Sequence, residues 1–228
     1  MKHPIQKFYD YVSRPLYPAA RVLLVLAIVP LILSFFYPLW RISLTAPQYP
    51  EGLWVDVYTY AVRGGNNGQH LTEINTINHY IGMGHIDRAA LADLDWMPFA
   101  VGILGLLALR VALLGDVRSL IDLSVLSVYV SGFAFARFYM KMYALGHDLN
   151  PEAPLRIAPF TPPVFGSREI ANFTSSSYPR MGSVWLGLFL ATIALTMLWH
   201  LIGGRIQAAK AEKGDPPTPA KAETSDVP

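Results

Sequence analysis

Two histidines and a methionine lie close together in the sequence His79-Tyr-Ile-Gly-Met83-Gly-His85. Because His79 and Met83 are four residues apart, one face of a helix would present both side chains, provided that Gly82 does not end the helix first. Imidazole and thioether ligands together suit copper, in either oxidation state, better than zinc or magnesium. The segment therefore predicts a copper site; the alternative is that the histidines form structural hydrogen bonds and the methionine packs.

His147 is the fourth candidate ligand of this site, because it follows an apolar segment that ends at residue 145. If that segment crosses a membrane, His147 emerges at the same surface as the other three. The chain contains no cysteine, which excludes thiolate metal sites and iron–sulfur clusters. The His-Glu-x-x-His spacing of zinc hydrolases is missing as well. No histidines are paired across the apolar segments to hold a haem, so no haem is expected.

Arg137 and Lys141 form a second candidate site. They lie four residues apart in the outer half of an apolar segment, where a charge is costly without a partner or water. One interpretation is a pocket at the outer membrane surface that holds an anion, a cofactor headgroup or another membrane subunit. The other, which we favour, is that both side chains extend to the membrane surface and pair with an outward acid. The candidate acids are Glu51, Asp148 and Glu152.

Four apolar segments must position these side chains. The chain has 228 residues, of which 53% are hydrophobic and 15% charged, whereas an average soluble domain is about 25% charged. The apolar residues are concentrated in residues 22–40, 96–114, 119–145 and 184–203, each long enough to cross a bilayer. We therefore predict an all-α membrane protein, a four-helix transmembrane bundle, in which Pro30 kinks the first helix. The first segment exceeds a signal-peptide core, so we expect it to be retained.

The distribution of lysine and arginine predicts the orientation of the four spans. Residues 1–21 and 204–228 carry four basic residues each, whereas residues 41–95 carry three arginines against six acids. We therefore predict a multi-pass membrane protein with both termini and the turn 115–118 in the cytoplasm; in a Gram-negative bacterium this membrane is the inner membrane and the outward loops face the periplasm. Residues 41–95 and 146–183 then form two periplasmic loops, and residues 204–228 form a disordered cytoplasmic tail.

Each periplasmic loop has its own pattern. The first predicts a strand over Leu53–Val62, a helix over Thr72–Ile81 and a second short helix over Asp87–Leu94. The second is rich in proline between residues 146 and 166, so that stretch cannot form a helix or a central strand. We expect it to lie as a lid over the first loop, or against a partner protein.

Several of these segments together resemble a family of small multi-pass membrane proteins encoded beside nitrous oxide reductase, in bacteria with the Sec-exported form of that enzyme. The resemblance covers residues 20–200, and its most distinctive parts are Ala46–Leu53, Glu73–Met83, Gly146–Pro151, Pro159–Gly166 and Asn172–Phe173. It implies a copper context, because this reductase needs copper clusters assembled in the periplasm. The matching segments include His79, Met83 and His147, whereas His85 lies just beyond them.

These observations predict a non-enzymatic inner-membrane accessory protein that handles copper on the periplasmic side and supports the maturation of nitrous oxide reductase. The expected partners are membrane lipid and the reductase or its maturation proteins; a net charge of +2 does not favour nucleic acid. The alternative is a non-catalytic structural or docking subunit of a respiratory membrane complex, without a metal. A third hypothesis, an oxidoreductase that handles quinol at Arg137 and Lys141, lacks a redox centre.

Overall fold

A computed structural model describes Gln6, Tyr9 and residues 12–87, 90–170 and 172–214, with side chains described as far as residue 203. The helices are α1 (Pro18–Leu26), α2 (Ile28–Leu33), α3 (Gln69–Tyr80), α4 (Asp93–Leu114), α5 (Val117–His147) and α6 (Met181–Gly214). The strands are β1 (Trp40–Ala46), β2 (Tyr49–Val57), β3 (Val62–Gly64), β4 (Gly166–Ile170) and β5 (Phe173–Pro179). A short 3-10 helix, Asn66–Gly68, precedes α3.

The prediction of an all-α fold is wrong, because segments from both loops form one five-stranded antiparallel sheet. The strand order is β3-β2-β1-β5-β4. In the central strand, Ile42 lies opposite Val55 of β2 on one side and Ser177 of β5 on the other. The protein is therefore a mixed α/β structure, in which the sheet joins the two loops. The strand predicted over Leu53–Val62 belongs in part to β2, which begins four residues earlier and ends at Val57.

The alternation of side chains explains why this sheet packs on one face. Leu53 and Val55 of β2 are buried with Ile74 of α3 in a small apolar core. On the opposite face, Arg41 of β1 donates two hydrogen bonds of 2.6 Å to the carboxylate of Asp56 of β2. These hydrogen bonds raise the pKa of the Arg41 guanidinium above its ordinary value, although burial opposes the shift.

In the described part of the chain, three helices are long and apolar enough to cross a membrane: α4, α5 and residues 181–203 of α6. Their bounds lie within three residues of the predicted segments 96–114, 119–145 and 184–203. Many large apolar side chains on these helices are exposed, as expected for surfaces that contact lipid tails rather than water. Examples are Phe99, Leu106, Leu113, Val128, Leu195 and Ile202.

The first apolar segment differs from the predicted continuous span over residues 22–40. It forms two short helices that separate at Ala27, and Trp40 already belongs to β1. Pro30 accounts for the break, because it has no N–H to donate to the carbonyl of Leu26 and its ring crowds that carbonyl. The apolar helical stretch, residues 18–33, is shorter than the roughly 20 residues that a straight spanning helix needs.

The two short helices nevertheless pack along the length of the other helices. At one end, the N–H of Leu16 donates to the carbonyl of Gly115 (2.6 Å), in the turn between α4 and α5. At the other end, the N–H of Gly182 at the start of α6 donates to the carbonyl of Pro38 (2.9 Å). The buried side chains between these ends form the main core: Ala20, Leu24, Ala27, Leu31, Val101, Leu104, Ala108, Leu120, Phe189 and Ile193.

His200 links the start of α1 to α6. Its Nε2 accepts a hydrogen bond from the backbone N–H of Tyr17 (3.1 Å), and its Nδ1 lies 3.0 Å from the carbonyl of Thr196. The ring also stacks on that of Tyr17, with 4.6 Å between centroids, and the residue is 4% exposed. These contacts need a neutral imidazole with its proton on Nδ1. This histidine is therefore structural.

We expect His200→Ala to lower the free energy of unfolding by about 2–4 kcal/mol, because it removes the acceptor of the Tyr17 N–H and leaves a cavity. Thermal unfolding in detergent, followed by circular dichroism, should then show a Tm about 5–15 °C lower. His200→Gln should recover part of this loss, because its side-chain oxygen can accept the same hydrogen bond. Equal losses in the two variants would contradict the role given to Nε2.

Candidate functional site

His79, Met83 and His85 line one open cavity of about 480 Å³ at the C-terminal end of α3. The ring centroids of the two histidines are 6.4 Å apart. Both histidines are exposed, whereas Met83 is half-buried and also lines a small apolar cavity between the sheet and α5. The structure thus brings together three of the four predicted ligands at the surface of the sheet domain.

A turn, rather than a helical face, brings these side chains together. The helix predicted over Thr72–Ile81 is α3, which begins at Gln69 and ends at Tyr80. Gly82 follows with a φ of +79°, a left-handed conformation that favours glycine. The N–H of Met83 then donates to the carbonyl of Asn78 (2.8 Å), which directs the chain back beside the helix. The predicted break at Gly82 therefore occurs.

Two asparagines of α3 hold the loop that carries Met83 and His85. The side chain of Asn75 accepts the N–H of Ile86 (2.8 Å) and donates to the carbonyl of the same residue (3.1 Å). Asn78, which is 4% exposed, donates to the carbonyl of Gly84 (3.4 Å). We did not predict these two residues as part of the site, although their i, i+3 spacing on one helical face was a usable signal.

The second loop supports the same site from the other side. The N–H of Asn150 donates to the carbonyl of Gly82 (2.8 Å), and the N–H of Leu155 donates to that of Tyr80 (3.0 Å). Farther along, the N–H of Phe160 donates to the carbonyl of Gly146 (3.0 Å). The proline-rich stretch therefore packs against residues of its own chain beside the cavity. This is the arrangement expected of a lid over the first loop.

Two imidazoles and one thioether can coordinate a copper ion here. A metal–imidazole bond is about 2.0 Å, and the ring centre lies about 1.1 Å beyond the nitrogen, so two rings on one ion have centroids at most about 6.2 Å apart, when the ion lies on the line between them. The observed 6.4 Å between His79 and His85 is slightly longer than this maximum, so the two exposed rings must move closer together to bind one ion with Met83. Among the residues that the structure describes, no three histidine, aspartate or glutamate side chains are grouped as a metal site. Met83 is therefore essential to this candidate site.

His147 lies outside this cavity, although the next residue, Asp148, lines it. The ring of His147 stacks on that of Tyr143, with 3.7 Å between centroids. Its Nδ1 is 2.9 Å from the carbonyl of Tyr143, one helical turn earlier. The structure thus occupies His147 with contacts inside α5 and does not bring it to the other three predicted ligands.

Arg137 pairs with Asp93, in the first turn of α4. Its Nε and Nη2 donate to the two carboxylate oxygens at 2.9 and 3.2 Å, and Asp93 also accepts the indole N–H of Trp96 (2.9 Å). Lys141 is close enough to interact electrostatically with the same carboxylate. Arg137 is thus paired with an acid, but not with Glu51, Asp148 or Glu152, which were the predicted candidates.

No known protein family, curated protein or solved structure matches this chain. The resemblance to the proteins encoded with nitrous oxide reductase therefore stays a prediction based on short segments of sequence. The geometry of the cavity is therefore the main evidence that bears on function.

Proposed function

We propose that this protein is a membrane-anchored accessory protein that binds copper through His79, Met83 and His85. The observation that carries the proposal is the convergence of these three side chains on one open cavity. The donor set is soft and borderline, which favours copper over magnesium or calcium, and it lacks the four nitrogen or sulfur ligands of a structural zinc site. The function is non-enzymatic.

The accessibility of the cavity supports a role in copper transfer. Both imidazoles are exposed, so a partner protein can reach the ion directly. The loop that carries Met83 is held by hydrogen bonds from Asn75 and Asn78, which favours a preorganised position for the thioether. We propose nitrous oxide reductase, or one of its maturation proteins, as the recipient. This choice of recipient rests on the resemblance of the sequence segments.

A full chain purified in detergent and loaded with Cu(I) without oxygen should retain one copper per chain after gel filtration. Metal analysis of the protein peak measures this ratio. A protein peak without copper would overturn the proposal. The docking-subunit alternative has less support, because the proline-rich loop packs against Gly146 and Tyr80 of its own chain rather than extending toward a partner.

We also propose four membrane crossings in the inner membrane, with the sheet in the periplasm and both termini in the cytoplasm. The broken first segment supports the fourth crossing. Tyr17 lies beside His200 and Pro38 lies beside Gly182. Gly182 and His200 are both in α6, where 18 residues at 1.5 Å each span about 27 Å. Residues 17–38 therefore run along α6 over that length, which is close to the hydrocarbon thickness of about 30 Å.

The natural absence of cysteine makes this topology easy to test. Single cysteines at two exposed positions, Glu51→Cys in β2 and Arg118→Cys beside the turn between α4 and α5, can be labelled with a membrane-impermeant maleimide. We expect Glu51→Cys to react once the outer membrane is permeabilised and Arg118→Cys to react only after the inner membrane is broken. Equal labelling of both from one side would refute the proposed topology.

A further inference from the structure

A second open cavity, of about 540 Å³, lies where the sheet meets the start of α6. It is separate from the histidine cavity, since the two share no lining residue. Its charged side chains are those of Arg41, Asp56 and Arg180, and its apolar ones include Met181 and Val184. Its volume falls within the range of ligand sites, about 300–1,000 Å³.

The side chains that line this cavity have a net charge of one positive unit. Arg41 and Asp56 neutralise each other through their two hydrogen bonds of 2.6 Å. Arg180 is exposed, and no acid in the described part of the chain pairs with its guanidinium. The cavity is therefore complementary to a single anionic group, and a guanidinium suits phosphate oxygens especially well.

The position of Arg180 is fixed at the end of an apolar helix. Its backbone N–H donates to the carbonyl of Leu39 (2.8 Å), which also accepts the hydroxyl of Ser183 (2.6 Å). The apolar stretch of α6 starts at the next residue, Met181. If α6 crosses a membrane, the guanidinium lies at the depth of the lipid headgroups.

An exposed apolar stripe continues from the cavity along α6. Met181, Val184 and Leu188 are each about half exposed, at 50, 56 and 48%. Their spacing of three and four residues places them on one face of the helix. The ring of Tyr37, which also lines the cavity, is partly exposed. The surface thus joins a cationic pocket to an apolar stripe, which matches the shape of an amphiphile.

We infer that this cavity binds a membrane phospholipid, with its phosphate on Arg180 and an acyl chain along Met181, Val184 and Leu188. The lipid belongs to the leaflet that faces the sheet. Because Arg41 is already paired with Asp56, Arg180 supplies the charge that selects an anionic headgroup. Such a lipid would fill the junction between the sheet and the helices, which in the protein alone is open.

Native mass spectrometry of the full chain in detergent, titrated with phosphatidylglycerol, tests this inference. We expect one tightly retained lipid per chain, at least fivefold weaker binding in Arg180→Gln and near-normal binding in Arg180→Lys. Arg168→Gln is the matched control, because Arg168 is an exposed arginine of β4 that does not line the cavity. Val184→Asn makes the stripe polar and leaves both arginines unchanged, so it should also weaken binding, and it replaces Arg180→Gln in the test if that variant does not fold.

Equal retention of phosphatidylglycerol by the unmodified chain, Arg180→Gln and Arg168→Gln would overturn the inference, as would equal retention by Val184→Asn. Millimolar inorganic phosphate provides the second arm. If it leaves the bound lipid in place, the acyl chain contributes to binding as inferred. If it displaces the lipid completely, the cavity is a site for free anions and the lipid assignment is wrong.

Discussion

Replacing either His79 or Met83 with alanine should weaken Cu(I) binding by about 100-fold or more. Removing a residue that hydrogen-bonds to a metal ligand already costs about 10- to 100-fold in metal affinity. Removing a ligand itself from a three-ligand site should cost at least as much. An anaerobic titration against a chromophoric Cu(I) chelator measures the change. His85→Ala should behave like His79→Ala, since both imidazoles line the cavity with 6.4 Å between their ring centroids.

His147→Ala is the matched control for this titration. The residue type and the substitution are the same, but the ring of His147 is stacked on Tyr143 and lies outside the cavity. We expect its copper affinity to stay within about threefold of that of the unmodified chain, well below the tenfold that corresponds to 1.4 kcal/mol. Binding that is unaffected by His79→Ala and Met83→Ala but lost in His147→Ala would refute the proposed ligand set.

Gly146→Ala should release the proline-rich loop and destabilise the protein by about 1–3 kcal/mol. A Cβ atom at this position would overlap the carbonyl oxygen of Phe160 and lie 2.9 Å from the Cδ atom of Pro162. The obstacle at Phe160 is backbone, so no side-chain rotation can relieve it. The loop must move away from the end of α5, and the hydrogen bond from Phe160 to Gly146 is lost.

Hydrogen exchange with mass spectrometry would detect this release as faster exchange at the amides of Leu155 and Phe160. Gly132→Ala is the control, because Gly132 lies in the same helix and a Cβ atom there meets nothing within 4 Å. That substitution should leave exchange in the loop unchanged. Similar exchange in the two variants would show that the loop does not depend on contact with Gly146.

The spanning helices could be predicted from sequence, but the sheet could not. About 20 consecutive apolar residues leave few alternatives to a membrane helix. By contrast, β1 directly continues the first apolar segment, and a short apolar run does not distinguish a strand from a helix. Its partner β5 is far away in sequence: the indole N–H of Trp40 donates to Ser177, 137 residues later. The run Thr174-Ser-Ser-Ser177 has the composition of a loop, yet Ser175 and Ser177 are buried in the sheet.

The residues of the candidate site could be predicted from the sequence, but their arrangement in space could not. The short spacing from His79 to His85 predicted their proximity from local sequence alone, whereas the left-handed turn at Gly82 replaced the helical face that we expected. The position of the His147 ring depends on its stacking contact with the ring of Tyr143, which residue spacing does not reveal. The pairing of Arg137 with Asp93 was not predicted either, because Asp93 lies at the start of α4 rather than in the middle of a loop.

The X-ray absorption spectrum of the protein loaded with one Cu(I) tests the central claim most directly. The chain has seven methionines and no cysteine, so any sulfur ligand must be a thioether. Coordination by His79, Met83 and His85 predicts nitrogen scatterers at about 2.0 Å and one sulfur at about 2.3 Å, with the sulfur signal lost in Met83→Ala. A spectrum without sulfur, or one that Met83→Ala leaves unchanged, would contradict the proposed site.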